Sequence, residues 1–159
     1  MSIDLSFCPE MCYDVQKNGG INLQDLFHPA MDGRDIDAIS VLGLAHMGDA
    51  VFELLVRERL CESGMAKSEQ LHRATVEHVS APAQAVFADA ILPHLTEDEL
   101  AVFRRGRNAH VHAVPKNATH GQYGKATALE ALLGSLYLSG QTERIGELFA
   151  IGCEAQNAL

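Results

Sequence analysis

Apolar residues recur at helical spacing through residues 36–61, at Ile36, Ile39, Leu42, Leu44, Met47, Val51, Leu54 and Leu55. Little polar relief interrupts the middle of this stripe, which predicts a central helix. Ser63-Gly64 ends it. A second helix is predicted from near Ser68, a plausible N-cap, to about residue 80. Pro82 interrupts or restarts it, and residues 83–92 are helical again, stopping near Pro93. Thr96 and Glu99 have capping-box spacing and open a helix through about Arg107. Residues 109–121 hold Pro115 and Gly121 and read as a loop. Helix resumes from about Gln122 to Ser139, with Gly140 placed to close it, and residues 142–157 form the last one. No segment alternates with period two, so the predicted class is all-α. Before this body, Asn18-Gly19-Gly20, His28-Pro29 and Asp32-Gly33 are turn signals. Residues 1–34 are therefore expected to be a partly irregular arm, and residues 35–159 a helical domain.

Bulk properties narrow this little. A chain of 159 residues, 47% of them hydrophobic, supports one core and argues against disorder. No apolar run reaches the ~18 residues of a membrane span. The start, MSIDLSFCPEMCYD, lacks the basic opening of a signal or transit peptide, so the expected location is cytoplasmic. In that setting Cys8, Cys12, Cys61 and Cys153 are read as reduced thiols. Cys8 and Cys12 lack a second ligand pair at zinc-finger distance.

Charge changes the picture more. The net charge of −9 argues against a polyanionic partner, yet no acid lies between Glu99 and Glu130. That interval holds Arg104, Arg105, Arg107, Lys116 and Lys125, five of the chain's 12 basic residues, with His110, His112 and His120. A segregated basic patch on an acidic body is the footprint of a local polyanion site. A solvated charged loop is the alternative.

Two carboxylates stand out because each sits on an apolar helix: Asp49 in LGLAHMGDAVFELLVRERL (42–60) and Glu130 in YGKATALEALLGSLYL (123–138). Burying a carboxylate among Leu, Ala and Val is costly without compensation. Residues 46, 49 and 53 share one face of the first helix. Tyr123, Thr127, Glu130 and Gly134 share a stripe of the second. Gly48 removes a side chain where another backbone could approach. Facing helices would bring Asp49 and Glu130 onto one cation, and hard oxygen ligands suit Mg²⁺. The other reading pairs the two acids with nearby arginines such as Arg57 or Arg105. Glu53, four residues before Arg57, is read as an ordinary ion pair. His110, His112 and His120 invite a transition-metal reading, for which an HxH loop is weak support.

These residues resemble the ribonuclease III family. GLAHMGDAVFE is similar to the family's signature helix and ATALEALLGSLYL to its second catalytic helix. The segment RRGRNAHVHAVPKNATHGQYGKATALEALLG is most similar to the short Mini-III branch, which lacks a double-stranded-RNA-binding domain. The resemblance covers roughly residues 35–150. Two acids of full-length ribonuclease III are absent, Ala45 and Thr127 standing in their places, a reduction expected in Mini-III. His46 and Ser135 stand where aromatic residues are expected.

The resemblance implies an all-helical homodimer that cuts double-stranded RNA with Mg²⁺, leaving 5′-phosphate and 3′-hydroxyl ends. It further implies maturation of large-subunit (23S) precursor ribosomal RNA, with a ribosomal protein as a candidate helper. Asp49 and Glu130 match the catalytic, metal-binding acids. Arg105, Arg107, Asn108, Lys116, Asn117 and Lys125 are the candidate RNA contacts, since duplex RNA is read through phosphates and 2′-hydroxyls. For the arginines, neutralisation of a helix C-terminus is the competing role. A non-catalytic RNA-binding module on the same fold, and a structural helical dimer with ion-paired acids, are the alternatives to the enzyme.

Overall fold

The computed structural model describes residues 29–109 and 118–156. Among these residues seven α-helices follow in chain order: α1 (Gly33–Ala38), α2 (Val41–Glu62), α3 (Ser68–His78), α4 (Ala81–Ile91), α5 (Glu97–Arg107), α6 (His120–Leu138) and α7 (Thr142–Gln156). A 3-10 turn, Leu92–His94, joins α4 to α5. No strand occurs among the described residues, in agreement with the all-α expectation.

Local chemistry sets most boundaries. The Ser40 hydroxyl accepts from Gly43 N–H and starts α2. This cap splits the predicted 36–61 helix, because Ile39 and Ser40 both adopt extended backbone. The piece before it is α1, capped by Asp32. Gly64 follows α2 at φ +81°, a left-handed position that suits glycine. Ser68 is the first residue of α3, and Lys67 holds the cap position. Pro82 restarts the helix, sitting in the first turn of α4 where its missing N–H costs nothing. Thr96 and Glu99 form the expected capping box on α5. A second capping box, Thr119 with Gln122, starts α6 two residues earlier than its sequence suggested.

Helix α6 is the axis of the domain: α2, α4, α5 and α7 all pack on it. Its residues from Ala126 to Leu129, Ala131 to Gly134 and Leu136 are buried. Such all-round burial is what a helix without a polar face requires. The core around it includes Phe52, Val56, Phe87, Ile91, Leu129, Leu133 and Leu148. Phe52 and Phe87 meet edge to face, 5.2 Å between centroids at 86°. A smaller cluster of Ile36, Leu44, Ala45 and Ala131 holds α1 against α2 and α6.

Two glycines let α2 and α6 cross with their backbones in contact. A Cβ on Gly48 would overlap the Glu130 carbonyl and lie 2.8 Å from Gly134 N. A Cβ on Gly134 would overlap the Leu44 carbonyl and lie 3.0 Å from Gly48 N. Gly106 plays the same part between α5 and α6: a Cβ there would lie 2.7 Å from Ala128 Cα.

Candidate active site

The crossing decides where the two carboxylates go. Asp49 follows Gly48 on α2, and Glu130 lies on α6 at the residue whose carbonyl meets Gly48. Both side chains line one open cleft of about 270 Å³, with Leu42, Ala45, His46, Tyr123 and Thr127. Helical spacing placed His46 with Asp49, and Tyr123 and Thr127 with Glu130; packing brings the two stripes face to face.

The electrostatics are those of two acids held together. Burial raises the Asp49 pKa first, repulsion by Glu53 raises it further, and His46 lowers it. The Glu130 carboxyl is pushed up to about 7, mainly by burial and then by Asp49, with the Gln84 amide acting in the opposite direction. Among the described residues neither acid is in an ion pair. Arg57 is engaged by Glu53, its Nε 2.8 Å from Oε1, as the i,i+4 spacing predicts. Arg105 lines a different cavity, with Asp37, Asp98, Ser135, Ser139 and Gln141. The arginine-paired reading of the acids therefore finds no partner in this structure.

Two unneutralised oxygen donors on one cleft fit a hard divalent cation. Mg²⁺ commonly takes one or two protein carboxylates and keeps water in its other positions. No group of three or more His, Cys, Asp or Glu suited to a metal occurs among the described residues. Ala45 and Thr127, at the positions of the missing acids, both line the cleft without adding a charge. His120 is the exposed first residue of α6, while His110 and His112 lie outside the described residues.

The candidate RNA contacts are distributed unevenly. Arg105, Arg107 and Asn108 are exposed at the C-terminal end of α5, where the two arginine charges also complement the helix dipole. Lys125 is half-buried and bridges Asp89 of α4 at 2.6 Å. Lys116 and Asn117 lie outside the described residues, as do Cys8 and Cys12. Sequence reasoning passed over Gln84, a buried polar residue on α4. The signal was a lone amide in the apolar run AQAVFADAIL.

Residues 42–141 match the ribonuclease III domain. The chain belongs to the ribonuclease III family and is an endoribonuclease. It is similar to Mini-ribonuclease 3 of Symbiobacterium thermophilum, 49% identical over 107 residues that cover 67% of this chain and 82% of the relative. Mini-ribonuclease 3 of Brevibacillus brevis is 47% identical over 115 residues, covering 72% and 86%. A crystal structure of a protein from Fusobacterium nucleatum superposes with a TM-score of 0.68 at 31% identity, covering 76% of this chain and 96% of that one. With an endoribonuclease established, the readings as a non-catalytic module or a structural dimer fall away. No helix among the described residues is long and apolar enough to cross a membrane.

Proposed function

We propose that this endoribonuclease hydrolyses double-stranded RNA with Mg²⁺ held by Asp49 and Glu130, and that it acts in the cytoplasm on the ends of precursor 23S ribosomal RNA. One observation carries the catalytic part: two carboxylates from different helices, in no ion pair among the described residues, meet on one open cleft. The resemblance to Mini-III supports the choice of substrate.

When bound, Mg²⁺ supplies a polarised water and stabilises charge on the scissile phosphate and the leaving 3′ oxygen. Asp49 and Glu130 offer it oxygens from opposite walls of the cleft. Both must be ionised to do so, so occupancy competes with the proton that burial favours on Glu130. Thr127 and Ala45 leave room at the cleft for RNA phosphate and water to complete the coordination. Tyr123 and His46 frame the opening. Arg105, Arg107 and Asn108 flank α6 and add duplex affinity through phosphate contacts, together with Lys116, Asn117 and Lys125.

Cutting both strands needs two sites, which an isologous homodimer supplies. An apolar groove supports that arrangement. It is lined by Met47, Ala50, Val51, Leu54, Leu55 and Tyr137, among others, and Leu54 is 58% exposed. It opens on α2, the helix that carries Asp49.

The test is cleavage of duplex RNA with Mg²⁺ by the wild type beside Asp49→Asn and Glu130→Gln. Unchanged cleavage by both variants rejects the site. Products lacking a 5′-phosphate reject the proposed direction of attack.

A further inference from the structure

We propose that the cavity between α1, α5 and α6 is a binding site for a guanine base, presented by an unpaired nucleotide of RNA or by a free guanine nucleotide. This gives Arg105 a role beyond the phosphate contact described above and is independent of the metal site.

The cavity holds about 600 Å³. Its opening has a cause in the sequence. Ser135, half-buried on its lining, stands where the resemblance to ribonuclease III leads one to expect an aromatic residue. A ring at that position would occupy the space a serine leaves. The apolar part of the lining is Ile36, Ala101 and Val102. Ile36 belongs to the same small cluster as Ala45, which lines the catalytic cleft, and Val102 packs against that cluster. Cavity and cleft are thus neighbours across it. Apolar walls with a few polar groups are the usual build of a small-ligand site.

The polar groups of the lining divide into engaged and open ones. Ser139 Oγ donates to the Ser135 carbonyl at 2.9 Å and accepts from Gln141 Nε2 at 2.9 Å. Asp37, Asp98 and Arg105 are in no ion pair among the described residues, although charges of both signs line one cavity. Asp98 and Arg105 stand at i, i+7 on one face of α5, about 10 Å apart along its axis. Asp37 comes from α1. Opposite charges held apart around a gap are completed by a ligand with donors on one edge and acceptors on another.

Guanine has both edges. Its N1–H and N2–H₂ give a carboxylate two donors, and its O6 and N7 give a guanidinium two acceptors. Adenine turns the N1 acceptor toward a carboxylate, uracil flanks its N3–H with carbonyls, and cytosine offers a carboxylate one amino group. Ala101 and Val102, between Asp98 and Arg105 on the same face of α5, are the apolar surface on which a flat purine rests.

The experiment is isothermal titration of the full chain with GMP, beside AMP, CMP, UMP and orthophosphate, with thermal melts of every variant. GMP is expected to bind at least about tenfold tighter than the other nucleotides, the scale of one two-bond contact. Ser135→Tyr, which fills the cavity, should abolish GMP binding. At least one of Asp37→Asn and Asp98→Asn should weaken it about tenfold. Should Ser135→Tyr fail to fold, the two aspartate variants decide. Glu130→Gln should bind GMP as wild type does, so failure of the metal reading leaves this site standing. Absence of GMP binding, equal affinity for AMP, full competition by orthophosphate, or wild-type affinity in all three cavity variants overturns the inference. So does GMP binding lost in Glu130→Gln, which would place the nucleotide in the catalytic cleft. Duplexes ending in one unpaired guanosine or adenosine separate the two sources of the base. Tighter binding of the guanosine duplex, lost in Ser135→Tyr, assigns the site to RNA; equal binding of the two duplexes beside GMP selectivity assigns it to a free nucleotide.

Discussion

The α-carbon of Gly48 lies against the backbone carbonyl of Glu130, so close that a single methyl group at position 48 would occupy the space of that oxygen. The contact sets the separation of α2 and α6 at their crossing, and with it the distance between the carboxylates one residue away on α2 and at the contact itself on α6.

Gly48→Ala and Gly134→Ala are accordingly expected to destabilise the fold by at least about 3 kcal/mol each, since the clashing atoms are backbone and cannot rotate away. Gly33→Ala, where a Cβ meets nothing within 4 Å, is the control. Chemical denaturation of the three variants checks this. A Gly48→Ala protein as stable as wild type would mean that the helices do not touch here.

Loss of either acid should stop the chemistry while leaving the fold intact. Asp49→Asn and Glu130→Gln are expected to lower the cleavage rate at least about 100-fold, the scale of a lost electrostatic contact to the reacting groups. Glu130→Gln should also raise the melting temperature of the metal-free protein at pH 8, because it removes a charge that burial disfavours.

The raised Glu130 pKa fixes the sign of a pH effect. An acid that holds its proton more tightly when folded contributes stability that is complete below its ordinary value of 4.5. That stability is lost as the pH rises through about 7. Metal-free protein should thus lose on the order of 3 kcal/mol from this group between about pH 4.5 and pH 8. Asp49, raised in the same direction, adds to the loss. Melting curves across that range check the slope, which Glu130→Gln should flatten. Added Mg²⁺ should restore stability at the alkaline end.

Arg144 offers a test of stability away from the cleft. Its guanidinium donates to Glu99 at 2.8 and 3.0 Å and to the His94 carbonyl at 2.7 Å, tying α7 to the start of α5. Glu99 is buried and its pKa is lowered, first by Arg144. Arg144→Leu is expected to cost about 3 kcal/mol, since a buried carboxylate loses its partner. The contribution of the pair is present above the ordinary carboxylate value and is lost as the pH falls through the depressed one. Cleavage by Arg144→Leu at a temperature where it is folded should match wild type.

The basic residues predict a graded salt response. Arg107 is exposed, whereas Lys125 is already bridged to Asp89. Arg107→Ala should reduce the salt slope of RNA binding by about one, and Lys125→Ala by less. Equal effects would show that the Asp89 bridge opens when RNA binds.

Much of this molecule was legible before folding because the signals are local. Thr96 and Glu99 cap α5 in the written order, Gly64 stops α2, and the apolar run 126–136 has the composition of a helix with no exposed face. Asp49 and Glu130 were visible because a carboxylate on an apolar stripe is an energetic anomaly. What misled was also local. The stripe from 36 to 61 keeps its period across Ser40, yet the Ser40 hydroxyl starts a new helix there. Gln84 was passed over because an amide carries no charge to betray it.

The sequence by itself determined the helical class, most helix ends and the identity of the two acids, since spacing, caps and composition act within a few residues. Only the tertiary structure decided that these acids share a cleft and that Lys125 answers Asp89. Both facts depend on the packing of helices far apart in the chain, and the cleft depends on the α2–α6 crossing, which two glycines allow by the absence of a side chain.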